Sequence, residues 1–282
     1  MSSDSLIYNG DLRDVSSLTI SDLNRVVYYG DGCFETFLCY GSRFLHLDKH
    51  IARLNEAILY LGINIAPFTQ EVVRRQIVEL LSSKNLNEAN SFVRIQVWRQ
   101  GGRGYHVDQN EGAYIIEARE WTIPKYPVKL ASVKVKAIPK AALSRKYKLS
   151  NSLNYIQASR EARGKKADAA LMFTVDDVIS ETEFANIFWY KDGIIYTPSV
   201  DCDLLPGITR EIITSGSVSS FEIKEGRFNW NHLADAEAVW LTNSLREMIP
   251  VSSIDDITYD TKHTIITEMK QYFEAYKEKK LS

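Results

Sequence analysis

The chain has 282 residues, 45% of them apolar and 25% charged, with 34 basic side chains against 36 acidic ones for a formal net charge of −2. That proportion of apolar side chains is enough to build a core, which excludes a disordered chain and a collagen-like repeat. The near-neutral balance excludes a broad basic face of the kind that holds nucleic acid or an anionic membrane, so no nucleic-acid or membrane partner is expected.

In chain order, Ser5–Tyr8, Arg25–Tyr28 and Glu35–Cys39 read as short strands, rich in β-branched and aromatic residues. The run HLDKHIARLNEAILYLGI places Ile51, Leu54, Ile58 and Leu61 at the spacing of one helix face. A second helix is expected over Thr69–Ser82. SFVRIQVWR and GAYIIEARE read as strands flanking the loop QGGRGYHVDQNE. WTIPKYPVKL carries two prolines and marks a linker, so the expected division is a smaller domain over 1–118, a linker over 119–128 and a larger domain over 129–282. In the second part ASVKVKAIP is expected as a strand, Ser150–Gly164 as a helix, and AALMFTV and NIFWY as strands. Asp192–Gly193 turns the chain into IIYTP. A helix starts at Ile208, AEAVWLTNS is a strand, and Asp260–Lys280 is a closing amphipathic helix. The fold class is mixed α+β in two units.

The opening MSSDSLIYNG lacks a positive segment followed by an apolar one, so no secretory leader is expected, and no apolar run approaches the roughly 18 residues of a membrane span. Cys33, Cys39 and Cys202 form no CxxC pair, which suggests reduced thiols and a cytoplasmic setting. No metal site is expected: His46 and His50 stand four apart but lack the glutamate and third ligand of a zinc helix, and they read as a partly exposed helix pair. GDGCFE lacks the third glycine of a dinucleotide fingerprint, and neither a phosphate-loop motif nor a GxSxG elbow is present.

Three features point to chemistry. LLPGITREIITSG breaks the chain at Pro206–Gly207 and opens a helix at Ile208–Thr209, whose first amides and Thr209 hydroxyl suit a phosphate. Lys148 stands just ahead of a helix, and a lysine tuned by burial or a cationic neighbour serves as nucleophile or base. Glu181 follows a short β run and precedes Asn186 by five residues.

These residues carry a resemblance to the class IV aminotransferases, the pyridoxal-phosphate enzymes that include branched-chain and D-amino acid aminotransferases and 4-amino-4-deoxychorismate lyases. Five blocks fall in the family's order: YGDGCFET, HLDKHIARL, KLSN with its following helix, ISETEFANIF and LLPGITR. The resemblance implies the two-domain fold type IV architecture and pyridoxal 5'-phosphate as cofactor. It assigns Lys148 as the catalytic lysine that carries the cofactor. Asn151, with Glu161–Ala162 ten and eleven residues after it, matches the family's spacing after its lysine, so the resemblance implies Lys148 rather than Lys146. Glu181 resembles the carboxylate at the pyridine nitrogen, and Arg53 the phosphate-gripping arginine of HxxRL. Ile208, Thr209 and Ser244 resemble further phosphate contacts. Glu183 stands where relatives often have serine, and Ser152 where branched-chain enzymes have tyrosine. Arg103, in a GGRGY loop shared with the lyase branch, resembles an arginine that meets substrate carboxylates. Phe34 and Glu35 are expected to line the pocket. The resemblance further implies a homodimer with the active site at the subunit interface. The activity it implies is a lyase converting 4-amino-4-deoxychorismate to 4-aminobenzoate and pyruvate. The alternative is an aminotransferase acting on branched-chain or D-amino acids. A scaffold that has lost catalysis is the remaining option, against which the intact set Arg53, Lys148, Glu181 and Thr209 stands.

Overall fold

A computed structural model describes residues 4–19, 24–107, 110–215 and 221–282. They fall into two compact units. The first comprises Met1–Thr122, Tyr147–Asn151 and Lys280–Ser282; the second comprises Ile123–Lys146 and Ser152–Lys279.

The first unit is built on β1 (Ser5–Tyr8), β2 (Asp11–Asp14), β3 (Gly32–Tyr40), β4 (Arg43–Phe44), β5 (Asn90–Arg99) and β6 (Gly112–Glu120), in the sheet order β2-β1-β6-β5-β3-β4. All pairs are antiparallel. Val93, Ile95 and Val97 alternate in β5 and are fully buried, while Arg94 and Gln96 point to the other face. Helix α2 (Leu47–Leu61) buries Leu47, His50, Ile51, Leu54, Ala57 and Ile58 and ends at Gly62, whose positive φ of 64° suits a left-handed cap. Helix α3 (Gln70–Ser83) starts where the Thr69 side chain accepts from the Val72 amide.

Arg25–Tyr28, expected as a strand, lies within helix α1 (Asn24–Tyr29). Valine and tyrosine favour strands only weakly, and long-range contacts decide here. Arg25 is buried, donates to Asp31 at 2.9 Å, and reaches the Gly102 and Gly104 carbonyls at 2.8 and 3.0 Å.

The domain expectation put Lys148 in the second domain, whereas Tyr147–Asn151 groups with the first unit. Backbone hydrogen bonds are the reason. Phe34 N donates to the Lys148 carbonyl and Ser150 N to the Gly32 carbonyl, both at 2.9 Å, so the segment extends the sheet beside β3. Gly32 is required at this join, because a Cβ there would lie 2.2 Å from the Val97 carbonyl oxygen.

Among its described residues the second unit has nine strands: β7 (Val128–Ser132), β8 (Ala169–Phe173), β9 (Ile179–Thr182), β10 (Asn186–Lys191), β11 (Ile194–Pro198), β12 (Glu222–Gly226), β13 (Ala238–Asn243), β14 (Glu247–Ile254) and β15 (Ile257–Thr258). The path is β12-β11-β10-β13-β14-β7-β8-β9, with β15 on β14. Its helices are α4 (Leu153–Gly164), α5 (Ile208–Ser215), α6 (Trp230–Ala234) and α7 (Thr264–Lys280). Ile187, Trp189, Val239, Leu241, Ile249 and Val251 form the centre of its core. The strand expected across ASVKVKAIP stops at Ser132. Beyond it Val133 and Ala137 still bond to Leu171 and Phe173, but the paired ladder is lost. Among the described residues no helix is long and apolar enough to cross a membrane.

Candidate active site

In the first unit Lys148 sits at the sheet edge, held by its own carbonyl. Gln96 Nε2 reinforces the segment, donating to the Ser150 hydroxyl at 2.8 Å and to the Cys33 carbonyl at 3.0 Å. Lys148 is half-buried and Lys146 exposed. Lys148 Nζ lies 4.8 Å from the centre of the Phe34 ring, and the Arg94 guanidinium carbon lies 3.9 Å from the same centre. Arg94 donates to Gln96 Oε1 at 2.6 Å, and burial lowers its pKa. An amine and a guanidinium therefore share one aromatic ring.

Glu35 follows Phe34 and points the other way, toward α2. It was expected to line the pocket, but it is 1% exposed and engaged with α2. Arg53 donates Nε to Oε1 at 2.6 Å and Nη2 to Oε2 at 2.9 Å, a bidentate pair. His50 Nδ1 lies 2.8 Å from Oε2. Burial alone would raise the Glu35 pKa, but the Arg53 charge and the His50 hydrogen bond outweigh it and hold it near 2. An ionised carboxylate only accepts, so His50 carries its proton on Nδ1. Burial lowers the His50 pKa, which keeps the ring neutral. The pair His46 and His50 is thus not a partly exposed one, since His50 is 2% exposed and serves Glu35.

The Glu35 carboxyl has a folded pKa below its ordinary 4.5, so its stabilisation is complete above that value and is lost as the pH falls toward 2. Thermal unfolding followed from pH 6 to pH 2.5 should show the wild-type melting temperature falling through this window. Glu35→Gln should be less stable at pH 6 and show a flatter profile below pH 4.5. Parallel profiles would mean that the carboxylate is not held this way.

Arg103 is exposed on the GGRGY loop, where its guanidinium lies 5.1 Å from the centre of the Tyr28 ring. The loop is tied down by Arg25 and by the Gly104 amide, which donates to the Tyr29 hydroxyl at 2.7 Å. A cavity of about 640 Å³ lies beside it, lined by Arg25, Tyr29, Asp31, Arg99, Tyr105 and Asn151 among others. Its arginines Arg25 and Arg99 both donate to Asp31, and both also hold backbone carbonyls.

In the second unit Glu181 is the third residue of the short strand β9 and is 4% exposed. The Tyr155 hydroxyl donates to Oε1 at 2.9 Å, Arg145 Nη2 to Oε1 at 3.3 Å and Asn186 Nδ2 to Oε2 at 3.2 Å. A buried carboxylate with three donors is held in one orientation. Asn186 Nδ2 also donates to the Leu205 carbonyl at 2.9 Å. Its Oδ1 packs so close to Gly207 that a Cβ there would lie 2.2 Å away. Asn186 thus ties Glu181 to the start of α5, where Ile208 and Thr209 are buried. It also pairs with Thr242 of β13, two residues before Ser244 in the following turn. Glu183 is turned away to accept from the Ala170 amide at 2.8 Å, and burial raises its pKa.

Sequence reading missed Arg94, Arg145 and Tyr155. The polar alternation Arg94–Gln96 inside an otherwise apolar strand was the available signal for the first. Arg145 and Tyr155 lie 36 and 26 residues from Glu181, a separation at which no local pattern operates.

The amino-transferase class IV family matches residues 32–254. The chain belongs to this family. Its members are pyridoxal-phosphate enzymes, and this chain is an aminotransferase or lyase of that kind. It is 29% identical to an aminodeoxychorismate lyase of Bacillus subtilis over 91% of this chain and 89% of that protein. It is 25% identical to a D-alanine aminotransferase of Listeria monocytogenes over 95% of this chain and 94% of that protein. A branched-chain amino acid aminotransferase structure from Escherichia coli superposes with a TM-score of 0.89 at 21% identity, covering 96% of this chain and 94% of that one. That likeness is one of fold. The expected architecture, a fold type IV class IV enzyme, is borne out.

Proposed function

We propose that this class IV enzyme is a lyase that converts 4-amino-4-deoxychorismate to 4-aminobenzoate and pyruvate. The observation that carries the catalytic reading is the sharing of the Phe34 ring by Lys148 and Arg94, an amine beside a guanidinium. The lyase reading is supported by the Bacillus subtilis relative and by the GGRGY loop.

The residues suit pyridoxal phosphate. Glu181 is a buried acceptor of the kind a protonated pyridine nitrogen requires. Asn186 Oδ1 occupies the space of a Gly207 Cβ, so that Asn186 ties the start of α5 to Glu181, and Thr209 adds a hydroxyl there. Among the described residues Thr242 Oγ1 and both polar atoms of the Asn154 amide are buried without a partner. In this reading Lys148 binds the cofactor, Glu181 meets its ring nitrogen, and Arg53, Ile208, Thr209 and Ser244 hold its phosphate. When bound, the cofactor supplies a ring that accepts the electron pair freed at the carbon bearing the substrate amine.

Lys148 Nζ, freed when the substrate amine takes its place on the cofactor, would take the proton from that carbon, and its half-buried position keeps the amine near for the transfer. The carbon–oxygen bond to the enolpyruvyl group then breaks. The departing enolpyruvate picks up a proton to become pyruvate, and the ring left behind is aromatic. Glu181 keeps a proton at the ring nitrogen throughout, with Arg145, Tyr155 and Asn186 fixing its direction. Arg94 holds a substrate carboxylate. Glu35 acts on Arg53, setting its guanidinium rather than touching substrate. Arg103, exposed beside Tyr28, is available to a second copy of the chain, consistent with a homodimer.

Incubation of the purified enzyme with 4-amino-4-deoxychorismate and no keto acid is the test. Stoichiometric pyruvate and 4-aminobenzoate are expected. No pyruvate, together with amino transfer from D-alanine or leucine to 2-oxoglutarate, would replace the lyase with an aminotransferase.

A further inference from the structure

We propose that Arg246 is a specificity-determining residue that binds the ring carboxylate of the substrate; the inference rests on the lyase reading for the identity of that acid. Arg246 lies in the turn between β13 and β14. Asn243 Oδ1 accepts from the Leu245 and Arg246 amides at 3.0 and 2.7 Å, and Asn243 Nδ2 donates to the Phe184 carbonyl at 3.2 Å. The backbone under Arg246 is thereby pinned to the loop that follows Glu181. That loop is itself fixed, because Thr182 Oγ1 accepts from the Ala185 amide at 2.9 Å.

The guanidinium carbon lies 5.6 Å from the centre of the Phe184 ring and 5.8 Å from that of Tyr126. Nε and Nη2 are both buried, and neither has a hydrogen-bond partner among the described residues. These two atoms form one edge of the guanidinium, the edge that matches the two oxygens of a carboxylate. Arg53 uses the same edge on Glu35, at 2.6 and 2.9 Å. Asp168, the acid that acts on Arg246 through space, has Oδ2 turned to the Lys129 amide at 2.8 Å. Burial lowers the Arg246 pKa, the sign of a cation short of compensation.

Two covered, unbonded donors on a cation cost their full desolvation, which a neutral side chain at this position would avoid. A planar acid placed on that edge removes the cost. The aromatic neighbours favour a flat, ring-bearing carboxylate over a tetrahedral phosphate. The Tyr126 ring, 63% exposed, is the neighbour with room to yield as the acid enters.

The test is calorimetric titration of the holoenzyme with 4-aminobenzoate, which reads binding without turnover. Arg246→Gln is expected to weaken binding about 10- to 100-fold, the loss of a charge-assisted pair. Arg246→Lys should recover part of it, and the rate at which dialysis strips the cofactor should not change. Equal affinity in wild type and Arg246→Gln overturns the proposal, as does the absence of any binding to the wild-type enzyme. Faster cofactor loss with unchanged 4-aminobenzoate affinity would place the anion on the phosphate and also overturn it. If the glutamine variant does not fold, Arg246→Lys decides. A lysine is a point charge rather than a fork, so weakening of about threefold or more supports the assignment and no change rejects it. Arg246-dependent binding in an enzyme that releases no pyruvate would sink the lyase reading and leave this residue's role standing.

Discussion

Lys148→Ala is expected to cut pyruvate formation by at least about 10³-fold, a loss at the scale of removing a positioned general base together with a covalent anchor. The reason is local. Lys148 is fixed through its own carbonyl to Phe34, and its Nζ is held over the Phe34 ring. Alanine keeps the backbone bond, so the fold and the β3 pairing should survive, as a circular dichroism spectrum would show. Lys146→Ala, two residues away on an exposed side chain, should retain activity within a few-fold. If the two variants lost activity equally, the choice of Lys148 would fall.

Glu181→Gln should lower the turnover number by about 10²- to 10³-fold with little change in KM, the range for removing one preorganised charge contact from an active site. Glutamine has nearly the same shape and still accepts through one oxygen, but it brings an NH2 toward Arg145 or Asn186, both donors to the present carboxylate. Two further effects separate this role from a structural one. The cofactor absorption band should shift with pH in the variant over a range where the wild type is constant, because the ring nitrogen has lost its anionic partner. Glu181→Asp should restore part of the turnover number. A variant with normal turnover and a wild-type spectrum would show that Glu181 only fills the core beside Arg145.

Much of this was legible in the sequence, for reasons that differ by element. Helices α2 and α3 carry an apolar face at a period of 3.6, and Thr69 caps the second with its side chain, so both were visible to within a residue or two. Pro206–Gly207 announced the start of α5, and the structure adds why glycine stands there: Asn186 Oδ1 occupies the space of a Cβ. Glu181 could be found because its motif is contiguous with Asn186. What was hidden depends on chain segments meeting from afar. RVVYY looks extended by composition but becomes α1 under the hold of Arg25 on Gly102 and Gly104. The lysine segment joined β3, 116 residues or so upstream, by two backbone bonds that no side-chain pattern encodes. His50 looked like a surface histidine because its partner, Glu35, lies on a different element.

On the proposed reading Lys148 is the residue that bonds the cofactor. Borohydride reduction of the enzyme with pyridoxal phosphate, followed by proteolysis and peptide mass spectrometry, tests it most directly. A phosphopyridoxyl mass is expected on Lys148 and on no other lysine; the same mass on Lys146 or elsewhere, or no adduct at all, would overturn the assignment.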